Sequence, residues 1–131
     1  MYVTNTLTVP LEPGSHVDVE RLRNELREAG VEEILGLLME TFITDCPQRL
    51  AALEIGAAAR NIPAIRAAAH AFKSGASTIR ATALAVMLSG VETSARADSI
   101  ASIDTDMAGI RVECASVLSE LRHVVASLPL A

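Results

Sequence analysis

The chain of 131 residues is poor in aromatic side chains, with no tryptophan, one tyrosine and two phenylalanines. Half of its residues are nevertheless hydrophobic, so a core must be built from aliphatic side chains and alanine. It also lacks the alternating β-branched runs between turns that predict strands, apart from a short stretch at residues 2–9. Alanine is the best helix former, and small side chains let helices pack closely. These features predict an all-α protein whose length suits one domain.

Positive charge is also scarce, since 11 lysines and arginines face 16 acidic residues for a net charge of −5. A nucleic-acid binder would need a basic face, so that class is excluded. No run of about 18 apolar residues could cross a membrane, and the chain does not open with a signal peptide. Cys46 and Cys114 fall at apolar helical positions, which favours buried free thiols over a disulfide. We therefore expect a cytoplasmic protein without a membrane partner.

The spacing of apolar residues divides the chain into a leader and a helical domain. Residues 1–17 contain two prolines, a glycine and no helical period, which predicts an extended leader. Residues 18–131 form the domain, with Asp18 as the first N-cap and Gly30 as the residue that ends a short helix. Four longer helices follow, the first containing Pro47, where a kink or break is expected. We predict an up-and-down antiparallel four-helix bundle with a short N-terminal cap helix, present as a monomer.

The third helix carries two parallel stripes of side chains. The apolar stripe alternates spacings of three and four and so marks the core face: Ile62, Ile65, Ala69, Phe72, Ala76 and Ile79. The second stripe lies about 100° round the helix and is polar: Arg66, His70, Lys73, Ser77 and Arg80. His70 therefore stands at the edge of the core face, where a neighbour can hold the imidazole while it still reaches solvent.

A neighbour for His70 follows from hairpin geometry. The turn between the third and fourth helices falls near Ala81, and Glu92 lies as far after it as His70 lies before it. A hydrogen bond from one imidazole nitrogen to the Glu92 carboxylate would fix the imidazole tautomer and leave the other nitrogen as a nucleophile. Lys73, one turn further on, can offer an ammonium to a phosphoryl oxygen, and the small Ser74, Gly75 and Ser77 leave room for another protein.

Other functions compete with this one. A helical-bundle adaptor, which binds a receiver or kinase without being phosphorylated, predicts that His70 can be replaced without loss of binding. A metal-dependent enzyme is disfavoured, because the three histidines, His16, His70 and His123, lack ligand spacing and no metal site or cofactor is expected. Without a Walker loop or a glycine-rich phosphate cradle the chain is not a kinase by itself. It is either a piece of a larger hybrid kinase or, as Met1 and the leader suggest, a free-standing protein.

The segment "RAAAHAFKSGASTIRATALAVMLSGVE", residues 66–92, resembles the core of a histidine-containing phosphotransfer (HPt) domain. That family reads His-x-x-Lys followed by three small residues, then a leucine-rich helix with an acid or amide. The preceding stretch "ETFITDCPQRLAALEIGAAARNIPAIRAAAH" resembles the family's second helix and its lead-in to the histidine. The resemblance covers about residues 18–126.

The resemblance implies a carrier in a two-component phosphorelay rather than an enzyme. His70 would accept a phosphoryl group on Nε2 from a receiver-domain aspartate and pass it to another receiver. Lys73 would balance phosphoryl charge, and Glu92 would orient the ring through Nδ1. The implied partners are response-regulator receivers and a hybrid sensor histidine kinase. The magnesium ion and the acyl-phosphate chemistry would belong to the receiver.

Two positions depart from the family pattern. Ser74 follows the lysine where glycine is common, although small-residue variants are frequent. Arg80 stands ten residues after the histidine, where the family usually has glycine at the helix end. Arg66, Lys73 and Arg80 could together steer an acidic receiver onto a docking face that includes Ser74, Gly75 and Ser77. Ordinary solvated charges explain the two arginines equally well.

Overall fold

The computed structural model describes residues 15–129, which form five α-helices and one short 3₁₀ helix at Glu32–Ile34. The helices are α1 (Val19–Glu28), α2 (Leu35–Ala58), α3 (Ile62–Thr78), α4 (Thr82–Arg96) and α5 (Ile100–Ser127). Most of the expected leader, and the last two residues of the predicted domain, lie outside the described residues. The all-α prediction is confirmed.

The ends of the helices are fixed by N-cap side chains and by C-terminal backbone hydrogen bonds. Asp18 and Asn61 are the N-caps of α1 and α3, and each side-chain oxygen accepts from the backbone N–H three residues later. Four helices end with the same pair of backbone hydrogen bonds, which enclose one residue with positive φ. At α1 that residue is Gly30, as predicted; at the other three it is not glycine: Arg60, Arg80 and Asp98. The turns from α2 onward are therefore short, so consecutive helices lie antiparallel.

The four long helices close into a bundle. Helix α3 packs between α2 and α4, and α5 packs against the same two helices, while α1 contacts α2 as a cap. The core is aliphatic apart from two phenylalanine rings, and the apolar stripe of α3 is buried at Ile65, Ala69, Phe72, Ala76 and Ile79. Cys46 and Cys114 are free and buried, as predicted. Among residues 15–129, no helix is long and apolar enough to cross a bilayer.

Helix α2 is continuous through Pro47, so the expected break does not occur. Proline removes one backbone hydrogen bond and crowds the preceding turn. Its ring is exposed here, and the buried Cys46 and Leu53 anchor the helix to the core around it. Tertiary packing along one face therefore outweighs the local cost of the proline.

The first described residues are attached to α5. Glu120 accepts hydrogen bonds from the backbone N–H groups of His16 and Val17, at 2.6 Å and 3.2 Å. The side chain of Val17 is buried in the core, and the Asp18 N–H donates to the carbonyl of Arg80 at the α3–α4 turn. These contacts fix the start of α1 across one end of the bundle, beside the turn that positions the candidate site.

Candidate functional site

The centre of the site is His70 on α3, held from α4 by Glu92. The Nδ1 atom of His70 lies 3.1 Å from Oε2 of Glu92, at hydrogen-bond distance. The histidine side chain is 73% exposed, whereas that of Glu92 is 8% exposed. The buried carboxylate thus engages one ring nitrogen, and Nε2 is left without a hydrogen bond among residues 15–129. A neutral imidazole with its proton on Nδ1 presents the Nε2 lone pair to solvent.

Lys73 completes a triad around the same carboxylate. Its Nζ lies 2.5 Å from Oε1 of Glu92, although Oε1 accepts no hydrogen bond of good direction from the described residues. The contact is therefore best described as an ion pair. The Lys73 ammonium lowers the pKa of Glu92, burial opposes this, and the hydrogen bond to His70 lowers it further. Glu92 is thus a carboxylate at neutral pH and can accept a hydrogen bond from the Nδ1–H group of His70.

The small residues after Lys73 leave an open surface beside the histidine. Ser74 and Ser77 are exposed, and Gly75 is half-buried. A groove of about 280 Å³ between α2 and α3 is lined by Ser74, Gly75 and the Phe42 ring, among others. A Cβ built at Gly75 would meet only the Phe42 ring, at 3.8 Å, an ordinary contact. Helix packing therefore does not require glycine at this position.

Arg66 and Arg80, the two predicted docking arginines, have different surroundings. Arg66 is exposed and has no ion-pair partner in the described part of the chain. Arg80 donates from Nε and Nη2 to the two carboxylate oxygens of Glu25 on α1, at 2.7 Å and 2.8 Å. Its backbone has φ +64°, a conformation that favours glycine, which accounts for the glycine usual in the HPt pattern. Arg80 thus fastens the cap helix to the turn, and its charge is offset by Glu25.

Two residues beside the site were not identified from the sequence. Glu25 becomes visible only when α1 is placed against the α3–α4 turn. Arg96, one helical turn after Glu92, lines a groove together with Arg66 and His70. The four-residue spacing of Glu92 and Arg96 puts both on one face of α4, and that spacing could have identified Arg96.

The other two histidines lie away from the site. His16 Nδ1 contacts Oε2 of Glu113, which is mostly buried on α5, at 2.8 Å, and His123 is exposed near the end of α5. No group of three or more potential metal ligands is arranged around an ion in residues 15–129. The chemistry that the described side chains offer is therefore that of one oriented, exposed imidazole.

An exposed histidine on an antiparallel bundle, oriented by a buried carboxylate, is the arrangement that the sequence resemblance implies for a histidine phosphotransfer domain. The family model described as "Hpt domain" matches residues 37–127, and the chain belongs to this family. It is similar in structure to histidine-containing phosphotransfer protein B (HptB) from Pseudomonas aeruginosa PAO1, with 28% identity and a TM-score of 0.79. That match covers 87% of this chain and 97% of HptB. No curated protein matches the chain.

The family and the structural match confirm both the predicted resemblance and the bundle with its N-terminal helix. The chain is a histidine phosphotransfer protein of phosphorelay signalling. Hpt proteins are phosphocarriers rather than kinases, and they interact with receiver domains and kinases.

Proposed function

We propose that His70 is the phosphoryl acceptor of this chain and that Nε2 is the atom phosphorylated. The observation that carries the proposal is the hydrogen-bond contact between Nδ1 and the buried Glu92 carboxylate on a side chain that is 73% exposed. Among the three histidines, His70 combines this exposure with a cation one turn away. His16 has a carboxylate partner too, but its side chain is only 28% exposed. Its ring contacts Glu113 and its backbone N–H is bound to Glu120, and these two carboxylates would repel a phosphoryl group.

The transfer step is a displacement at phosphorus. The Nε2 lone pair forms the nitrogen–phosphorus bond while the bond from phosphorus to the receiver's aspartyl oxygen breaks, and the aspartate leaves as a carboxylate. The ring keeps its Nδ1 proton, so positive charge develops on the imidazole. Glu92 stabilises that charge through its contact with Nδ1, and the ammonium of Lys73, one helical turn after His70, would donate to the phosphoryl oxygens.

The partners are receiver domains and a hybrid sensor histidine kinase, which this chain serves without ATP chemistry of its own. Ser74, Gly75 and Ser77 would form the surface against which a receiver docks, with Arg66 at its edge. Arg80 contributes mainly by holding the turn, because its guanidinium is bound to Glu25. We expect a monomer that meets its receivers in the cytoplasm, with the magnesium ion supplied by the receiver.

The test uses the three histidines as matched variants. A panel of receiver domains labelled by a radioactive acyl phosphate is mixed with wild-type protein and with His70→Gln, His16→Gln and His123→Gln. We expect an acid-labile, base-stable label on the wild type and on the last two variants, and none on His70→Gln. Circular dichroism should show all four folded. A label on His70→Gln would contradict the proposal, and receiver binding without a label on any protein would favour the adaptor.

A further inference from the structure

The two cysteines of this chain take no part in the phosphotransfer chemistry, yet the fold brings their side chains together. Cys46 lies on α2 and Cys114 on α5, two helices that pack against each other although α3 and α4 separate them in sequence. Both residues are free thiols in the core, with exposures of 1% and 2%. Their side chains interact directly, so the two sulfur atoms face each other across the contact between the helices.

The two thiols differ in acidity and in access. The interaction with Cys114 lowers the pKa of Cys46, burial opposes this, and the guanidinium of Arg122 lowers it further. The same interaction, together with burial, raises the pKa of Cys114. Cys46 also lines the groove between α2 and α3, whereas Cys114 does not. That groove, of about 280 Å³, has room for hydrogen peroxide, a molecule only slightly larger than water. Cys46 is therefore the thiol that an oxidant reaches first and the one more readily present as the nucleophilic thiolate.

We infer that Cys46 and Cys114 are a dithiol site that a peroxide oxidises to a disulfide between α2 and α5. The Cys46 sulfur attacks one peroxide oxygen: a sulfur–oxygen bond forms, the oxygen–oxygen bond breaks, and hydroxide leaves with the thiol proton as water. The Cys114 sulfur then attacks the resulting sulfenic acid: the sulfur–sulfur bond forms, the sulfur–oxygen bond breaks, and a second water leaves with the Cys114 proton. Two thiols thus lose two electrons in total, and one peroxide molecule gains them.

The disulfide would join the first and last long helices of the bundle and close a loop that contains α3 and α4. A cross-link of this kind acts mainly by restricting the unfolded chain. In a reducing compartment it forms only while an oxidant is present, so the pair is a redox-sensitive lock on the bundle. Because Cys46 lines the same groove as Ser74 and Gly75, oxidation would act beside the surface proposed for receiver docking. The site itself does not depend on the role of His70.

The test is mass spectrometry of the whole chain after peroxide treatment. The folded, reduced protein is exposed to a small molar excess of hydrogen peroxide, then unfolded in iodoacetamide and weighed. We expect loss of both alkylatable thiols, a mass lower than that of the reduced chain by two hydrogen atoms, and a linked pair of peptides containing Cys46 and Cys114. Alkylation of both thiols, further oxidation of Cys46 without a link to Cys114, or a disulfide between two copies of the chain would each overturn the proposal.

Single variants test the order of the two steps. In Cys114→Ser, the sulfenic acid of Cys46 has no partner and should be trapped by dimedone. In Cys46→Ser, Cys114 should stay alkylatable after the same treatment, because it lies away from the groove. Circular dichroism checks that both variants fold, and Cys114→Ala is used where a buried hydroxyl prevents folding. Oxidation of Cys114 in Cys46→Ser as fast as that of Cys46 in Cys114→Ser would overturn the assignment of Cys46 as the nucleophile.

Discussion

Two helical glycines are expected to respond in opposite directions to the same substitution. Gly75 on α3 and Gly56 on α2 both lie inside helices, where glycine costs about 1 kcal/mol relative to alanine. At Gly75 the added Cβ would meet only the Phe42 ring, at 3.8 Å. Gly75→Ala should therefore raise the free energy of unfolding by about 0.5–1 kcal/mol. For a chain of this size that corresponds to a rise in Tm of about 3 °C.

At Gly56 the added Cβ would lie 3.3 Å from both the Cγ1 and the backbone nitrogen of Ile65. The backbone at the start of α3 cannot yield as a flexible side chain would, so α2 and α3 must separate slightly. Overpacking of this kind costs about 1–3 kcal/mol, which outweighs the gain in helix propensity. Gly56→Ala should lower the free energy of unfolding by up to about 2 kcal/mol and serves as the matched control.

The two effects separate stability from function at Gly75. Urea unfolding gives the free energies, and transfer from a labelled receiver gives the rate for each variant. We expect Gly75→Ala to be more stable than wild type and slower in transfer, because the methyl group occupies the surface proposed for receiver docking. Destabilisation of Gly75→Ala would refute the packing argument, and increased stability with an unchanged transfer rate would refute the docking role.

Two further substitutions test the electrostatics around the site and its turn. The pKa of Glu92 is lowered, by Lys73 most of all, so the stability it contributes is complete above about pH 4.3 and is lost as pH falls through its folded-state pKa. Glu92→Gln should lower the free energy of unfolding by about 1–2 kcal/mol at pH 7. In urea unfolding below pH 4, the variant should lose stability less steeply than wild type as pH falls. A loss as steep as that of wild type would contradict this. Arg80→Gly should be about 1 kcal/mol more stable than Arg80→Ala in thermal unfolding. Both variants lose the ion pair with Glu25, but only glycine adopts φ +64° without strain. Equal stability of these two variants would contradict the assignment of strain to the turn.

The helices could be predicted from the sequence because their signals are local. The N-cap Asp18, the glycine at residue 30 and the apolar stripe of α3 each depend on residues within a few positions of one another. The position of Glu92 along α4, level with His70 on α3, also followed from the turn near Ala81, since two helices joined by a short turn have a fixed register. Both the bundle and the central contact of the candidate site were therefore within reach of sequence reasoning.

Side-chain partners that depend on how the helices are placed in three dimensions could not be predicted from the sequence. The sequence predicts Arg80 as a cation of the docking face, whereas in the structure its guanidinium binds Glu25, whose position is set by how α1 crosses the end of the bundle. The left-handed residues Arg60, Arg80 and Asp98 carry no local signal like that of Gly30. Continuity of α2 through Pro47 likewise depends on core contacts along the helix, which no local rule includes.

The distribution of charge around His70 shows why the histidine could be identified more easily than the partner of Lys73. Lys73 has the sequence position of a phosphoryl counter-ion, yet in the structure it neutralises Glu92. Glu92 is buried, and a buried carboxylate needs a partner to offset its desolvation. The ammonium that the sequence offers only to a phosphoryl group thus also holds the carboxylate that orients the histidine.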